Sequence, residues 1–236
     1  MKVRYFFCLI LILLPLFSCA GRITGSLSVD GSAALAVNIS LEPRMTGLIR
    51  SLTAAAGQTG GLVLDGLAIA QSMSGAPGIT GVLLRNTTPS AVEGTVQVSQ
   101  ISEFLSAAST EHRGFITFDR RSSGGRCEIN INRNSGPEIL ELLSPEIADY
   151  LNALMAPIAT GEEMNKQEYL ELVASFYNRS ISDEIANSRI RASIDFPGPI
   201  TSVRGGTFSG RRAEFDISLL DLLVLEIPLI YEVIWN

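Results

Sequence analysis

The chain has 236 residues but only 1 histidine, 3 cysteines, 1 tryptophan and 2 lysines. Each scarcity removes a class of chemistry. With only His112, a Ser-His-Asp hydrolase would have to use that one ring. No G-x-S-x-G elbow accompanies it; in Gly206-Thr207-Phe208-Ser209-Gly210 the serine stands one place late. Zinc prefers clusters of histidine and cysteine, and the supply here is too small. Gly57-Gln58-Thr59-Gly60-Gly61 is followed by no GK[ST], and no dinucleotide fingerprint occurs, so nothing points to a phosphate loop or a nucleotide cofactor. The expectation is a protein with no cofactor, no metal and no catalytic motif. Carboxylate-only catalysis stays open, because sequence does not reveal which acids meet in space.

Long apolar runs are equally rare, with one exception at the start. Lys2 and Arg4 are followed by an uncharged apolar run from Tyr5 to Phe17, then Ser18-Cys19-Ala20-Gly21-Arg22. A charged start, an apolar middle and a small residue before a cut is the layout of a secretory signal. The run falls short of the roughly 20 residues that span a bilayer. Leu16-Phe17-Ser18-Cys19 is similar to a bacterial lipobox, in which the thiol receives a diacylglycerol and becomes the new N-terminus. Residues 1–18 are therefore expected to be a lipoprotein signal peptide, and 19–236 a single domain. A plain cleaved signal and an uncleaved anchor are the competing readings. A lipobox implies a bacterial cell envelope, with inner and outer membrane both open, and palmitate-like chains on Cys19. The membrane is then a partner through those chains.

Cleavage before Cys19 leaves Cys127 as the one free thiol, so no intramolecular disulfide can form. Cys127 alternates with Ile129 and Ile131, as a half-buried strand residue does. Loss of Lys2 and Arg4 takes the formal net charge from −6 to −8. So acidic a mature chain argues against nucleic acid, which needs a cationic face. Positive charge is carried by 16 arginines, a bias for which there is no physical account.

What remains is patterned as an α+β domain: antiparallel hairpins, with helices packed on one sheet face. Ile23 to Val29 and Ala33 to Leu41 alternate around Asp30-Gly31, a strong hairpin turn. Pro43 ends the second strand, and Met45, Leu48, Ile49 and Leu52 place a helix over 44–56. Residues 57–81 form a glycine-rich link around a small helix at 62–74. Strands follow at 82–86 and 92–98, then a short helix at 101–108. Strands at 115–118 and 127–131 flank a polar loop containing Arg120, Arg121 and Arg126, whose guanidinium forks are candidate anion contacts. The segment 137–187 is helical: Pro137 opens one helix, Pro145 another, Asn165-x-x-Glu168 has the form of a capping box, and Ser182 starts a last one. Its glutamates read as a solvated helix face. Strands at 190–196, 200–204, 213–217 and 224–235 close the chain, with one helical turn at 218–223 and Pro228 forcing an edge or a bulge.

The lipobox Cys19, the hairpin at Asp30-Gly31, the Phe196-Pro197-Gly198 break and the glycine-containing turn before Ala213 to Ile217 resemble, in that order, the mycobacterial LppM-type lipoproteins. The resemblance implies an α+β domain at the cell envelope, related in shape to lipid-binding folds. Three functions are then in play: an envelope scaffold or interaction protein, a lipid- or amphiphile-binding module, and a carboxylate enzyme. The partner is another envelope protein in the first case and a lipid in the second. A lipid site would need an apolar gap beside a bent strand. Val96, Val98, Ile194 and Phe196, on strands next to Gly94 and Pro197, are the candidate ligand-lining residues.

Overall fold

The computed structural model describes residues 19–55, 61–101, 103, 115–121, 124–136 and 145–236. The expected signal peptide, most of the helix at 101–108, the helix opened by Pro137, and His112 lie outside them. The chain is α+β. In order, the described elements are β1 (Cys19–Leu27), β2 (Ala33–Ser40), α1 (Pro43–Ala55), α2 (Gly66–Met73), β3 (Ile79–Thr88), β4 (Ala91–Val98), β5 (Ile116–Arg121) and β6 (Gly124–Ile131). Then come α3 (Pro145–Ala153), α4 (Pro157–Thr160), α5 (Lys166–Phe176), α6 (Arg179–Asn187), β7 (Arg189–Asp195), β8 (Ile200–Arg204), β9 (Thr207–Ser209), β10 (Arg212–Ser218), α7 (Leu219–Val224) and β11 (Leu229–Trp235).

The strands divide between a seven-stranded sheet, β3-β4-β2-β1-β7-β10-β9, and a four-stranded sheet, β5-β6-β11-β8. Hairpin chemistry sets the first neighbours. At the β1–β2 turn Gly31 takes φ 89°, and the Asp30 carboxylate accepts from the Ser32 N–H at 2.9 Å and the Ser32 hydroxyl at 2.7 Å. The hydroxyl, more than the backbone amide, holds the Asp30 carboxyl below its ordinary value, with the Arg120 charge adding to it. One pairing is not a hairpin: β1 runs parallel to β7. Parallel neighbours need a long crossover, and here it is everything between Leu27 and Arg189.

Between β3 and β4 the backbones come unusually close at Gly94. A Cβ there would sit 1.8 Å from the Leu83 carbonyl oxygen. Gly94→Ala is therefore expected to push the hairpin apart at a cost of about 1–3 kcal/mol. Chemical denaturation of the variant, compared with wild type, measures this.

Two cores result. Leu27, Ala33, Val96 and Val98 of the larger sheet meet Ile200, Val233 and Trp235 of the smaller one. The link Phe196–Pro199 carries the chain from β7 in the first sheet to β8 in the second. Phe196 stacks on Trp235 with ring centroids 5.0 Å apart, and Phe118 approaches the same ring at 5.9 Å. Gly125 lies beneath it, where a Cβ would be 2.4 Å from the indole. Cys127 packs against this cluster. Burial pushes its thiol up to about 11, so at pH about 8 the reactive thiolate is scarce. Iodoacetamide at that pH should leave Cys127 unmodified in the native protein and alkylate it fully in denaturant, as read by intact mass. Rapid native labelling would contradict this burial.

The second core is helical. Tyr169, Val173, Ile185 and Val224 are fully buried among α1, α4, α5, α6 and α7. The helices thus gather largely around one another, while the second sheet covers the inner face of the first. The capping box forms as read: the Asn165 side chain accepts from the Glu168 N–H, and the Glu168 carboxylate accepts from the Asn165 N–H, both at 2.9 Å. Helix α1 has no acidic residue in its own first turn. It borrows the Glu184 carboxylate of α6, which accepts from the Arg44 and Met45 amides at 3.0 and 2.9 Å. Buried Tyr169 donates its hydroxyl to the Leu154 carbonyl, and burial raises its pKa.

Several boundaries differ from the sequence expectation: β3 runs from Ile79 to Thr88, beyond the expected 82–86, and β9 is a strand where a turn is expected, and three further differences have a visible cause. Val224 and Leu225 do not begin the last strand; they finish α7 and fill the helical core, with Leu225 at φ 49° as its C-cap. Helix α6 starts at Arg179 because Asn178 caps it by accepting from the Ile181 N–H. The polar loop at 120–126 is much shorter than expected, since Arg120, Arg121 and Arg126 are all paired in the β5–β6 ladder.

Candidate functional site

The outer face of the seven-stranded sheet is mostly polar, with small or apolar exceptions at Ala34, Ala36 and Leu83. Strand register assembles its residues into rows. Arg22 of β1 pairs with Asn38 of β2 on one side and Arg191 of β7 on the other, and Asp216 of β10 lies beyond Arg191. Two residues along, Ala36, Thr24, Ser193, Glu214 and Thr207 form the next row. Small side chains at Ala36, Thr24 and Ser193 leave a depression that the arginines border.

A cleft of about 620 Å³ is lined by Arg22, Thr24, Arg191, Ser193, Glu214 and Asp216, together with the Gly205-Gly206-Thr207 turn between β8 and β9. That turn depends on glycine. Gly205 has φ 77° and its Cβ position falls 2.7 Å from the Tyr231 ring, while a Cβ on Gly206 would be 2.4 Å from the Glu214 carbonyl. A second, smaller depression of about 330 Å³ shares Arg22 and Thr24 and continues across β2 and β4. The cleft is polar at its borders and open to solvent. Its charges are arranged as two arginines on β1 and β7 against two carboxylates on β10.

The ligand-lining candidates lie elsewhere. Val96, Val98 and Phe196 are buried in the core between the sheets, with Ile194 half-buried against it. None of the four lines the two depressions of the outer face. The arginine candidates are also apart from the cleft. Arg126 is held by the Glu232 and Glu128 carboxylates, and the hydrogen bond it donates to Glu232 is the main reason its own pKa rises further. Arg120 is exposed on β5. Arg121 belongs to the same strand, its side chain outside the described set. Sequence reading passed over Arg22 and Arg191 because they are 169 positions apart in number and meet only through the parallel β1–β7 pairing. The available signal was their shared parity: each is a charged residue alternating with apolar neighbours on a strand.

Cys19 opens β1, opposite Arg189 at the start of β7. Among the described residues no helix is long and apolar enough to cross a membrane. No protein-family model and no curated protein matches the chain. Among solved structures, the NMR structure of the Mycobacterium tuberculosis LppM folded domain is similar, at a TM-score of 0.38 and 10% sequence identity over 94% of this chain and 93% of that one.

Proposed function

We propose that this chain is a bacterial envelope lipoprotein, held at the membrane by acyl chains on Cys19, whose domain acts as a scaffold or interaction module and not as an enzyme. The observation that carries the reading is the position of Cys19. It ends the apolar leader and is at the same time the first residue of a central strand, with no tether between them. A lipid there would hold the sheet close against the bilayer. Each strand residue then adds about 3.3 Å of height, so the Arg22 row stands roughly 10 Å beyond the anchor. An open, polar sheet face at that height is presented to whatever else lies along the membrane, with other envelope proteins as the partner class.

The lipid- or amphiphile-binding alternative is supported by the cleft, whose volume falls in the range of small-molecule sites. Native mass spectrometry of the full chain extracted in detergent, paired with cross-linking in intact cells, separates the two. The scaffold reading expects a protein free of non-covalent lipid and a recurrent cross-linked protein partner. A stoichiometric co-purified lipid without such a partner would replace it with the alternative.

A further inference from the structure

The arginines of the outer sheet face fall into two kinds. Arg85 meets Glu93 at 2.5 Å, and Arg212 grips both oxygens of Asp195 at 2.9 and 2.8 Å. Arg22 and Arg191 are different. They are direct register partners on neighbouring strands, both exposed and both pointing to the same face. Adjacent strands lie about 4.8 Å apart, so two positive charges sit side by side, an arrangement that destabilises a sheet when nothing neutralises it. Arg22 has no carboxylate partner among the described residues. Arg191 has Asp216 at 4.0 Å, with both side chains well exposed, and such a contact contributes little.

Beside them on the same face are the paired hydroxyls of Thr24 and Ser193, and all four residues line the cleft. Two guanidinium forks and two hydroxyls lining one depression match the several oxygens of a tetrahedral anion. The far border restricts the ligand further. Glu214 and Asp216 would repel a polyphosphate but tolerate one phosphate whose remainder is neutral or cationic.

We propose that the cleft binds a single phosphate group, held by Arg22 and Arg191, on a ligand that is otherwise neutral or positively charged. The site stands on the side-chain arrangement alone and does not require Cys19 to be acylated. Its ligand can come from the headgroup of a membrane phospholipid or from a soluble phosphate ester.

The test uses the full chain in a phosphate-free maltoside detergent, titrated with inorganic phosphate and with phosphoethanolamine by calorimetry. Saturable binding is expected. Arg22→Gln and Arg191→Gln should each weaken it about tenfold or more, the size of a lost charge-assisted hydrogen bond. Arg179→Gln on α6 should bind as wild type does. Arg22→Lys and Arg191→Lys keep the charge but lose the fork, and should fall between the glutamine variants and wild type. Circular dichroism checks that each variant is folded. Nanodiscs distinguish the sources. A site blocked to phosphoethanolamine in phosphatidylethanolamine discs but open in galactolipid discs identifies the headgroup; a site open in both identifies a soluble ester. No saturable binding by wild type, or undiminished binding by all four cleft variants, overturns the proposal.

Discussion

Cys19→Ala is expected to abolish membrane attachment or to leave the chain uncut at its N-terminus. The effect is close to all-or-none because the anchor is cumulative. Each buried CH₂ contributes about 0.8 kcal/mol, so one acyl chain binds only marginally while two or three bind almost permanently. The chain carries a formal net charge of −6, and among the described residues no helix is long and apolar enough to cross a membrane. Detergent-phase partitioning of wild type and variant, with the processed size read on the same samples, measures the result. If the variant is processed and partitions as wild type does, the apolar leader acts as a plain signal, and if both stay uncut it acts as an anchor; in either case Cys19 carries no lipid.

Trp235→Ala should be the most damaging single change to the fold. Trp235 is 5% exposed at the end of β11, paired with Gly125 of β6 and Ile200 of β8. Phe118 and Phe196 stack against it from different elements. Its removal opens a cavity where both sheets and the Phe196–Pro199 link converge, and nearby side chains cannot collapse to fill it. Truncating a buried large aromatic costs about 3–5 kcal/mol. At about 2–4 °C per kcal/mol for a chain of this size, the midpoint of thermal unfolding should fall by roughly 10 °C. Trp235→Phe keeps the ring stacking and should lose clearly less. A midpoint within about 2 °C of wild type for the alanine variant would show that this cluster does not hold the sheets together.

What the sequence made legible follows from range. Asp30-Gly31, Pro43, Asn165-x-x-Glu168 and the alternating strands each act within a few residues, and each appears where its pattern places it. The α+β class follows from those local signals. Boundaries failed where a long-range contact outbid the local pattern. Val224 and Leu225 are adjacent apolar residues just ahead of the last strand, but the helical core takes them beside Tyr169 and Ile185. The loop at 120–126 looks polar and glycine-rich, yet Gly125 is required by the Trp235 ring above it, which keeps the ladder going. The parallel β1–β7 pair depends on contacts across more than half the chain, and the four-stranded sheet depends on the β6–β11 pairing, whose partners are 98 to 110 positions apart. The cleft was invisible for the same reason. Its two arginines come from opposite ends of the sequence, whereas the arginines close together in sequence, Arg120, Arg121 and Arg126, lie on a hairpin where carboxylates already occupy Arg126.

The proposed envelope role rests on what happens at Cys19, and the mass of the N-terminal peptide tests it most directly. The full chain is extracted from bacterial membranes, digested, and its first peptide measured by mass spectrometry. Acylation predicts a peptide beginning at Cys19, heavier than its sequence by a thioether-linked diacylglyceryl group, with or without a further N-acyl chain, whose ester-linked chains are removed by alkaline hydrolysis to leave a glyceryl thioether on Cys19. An unmodified peptide beginning at Ala20 or elsewhere, or one retaining residues 1–18, would contradict it.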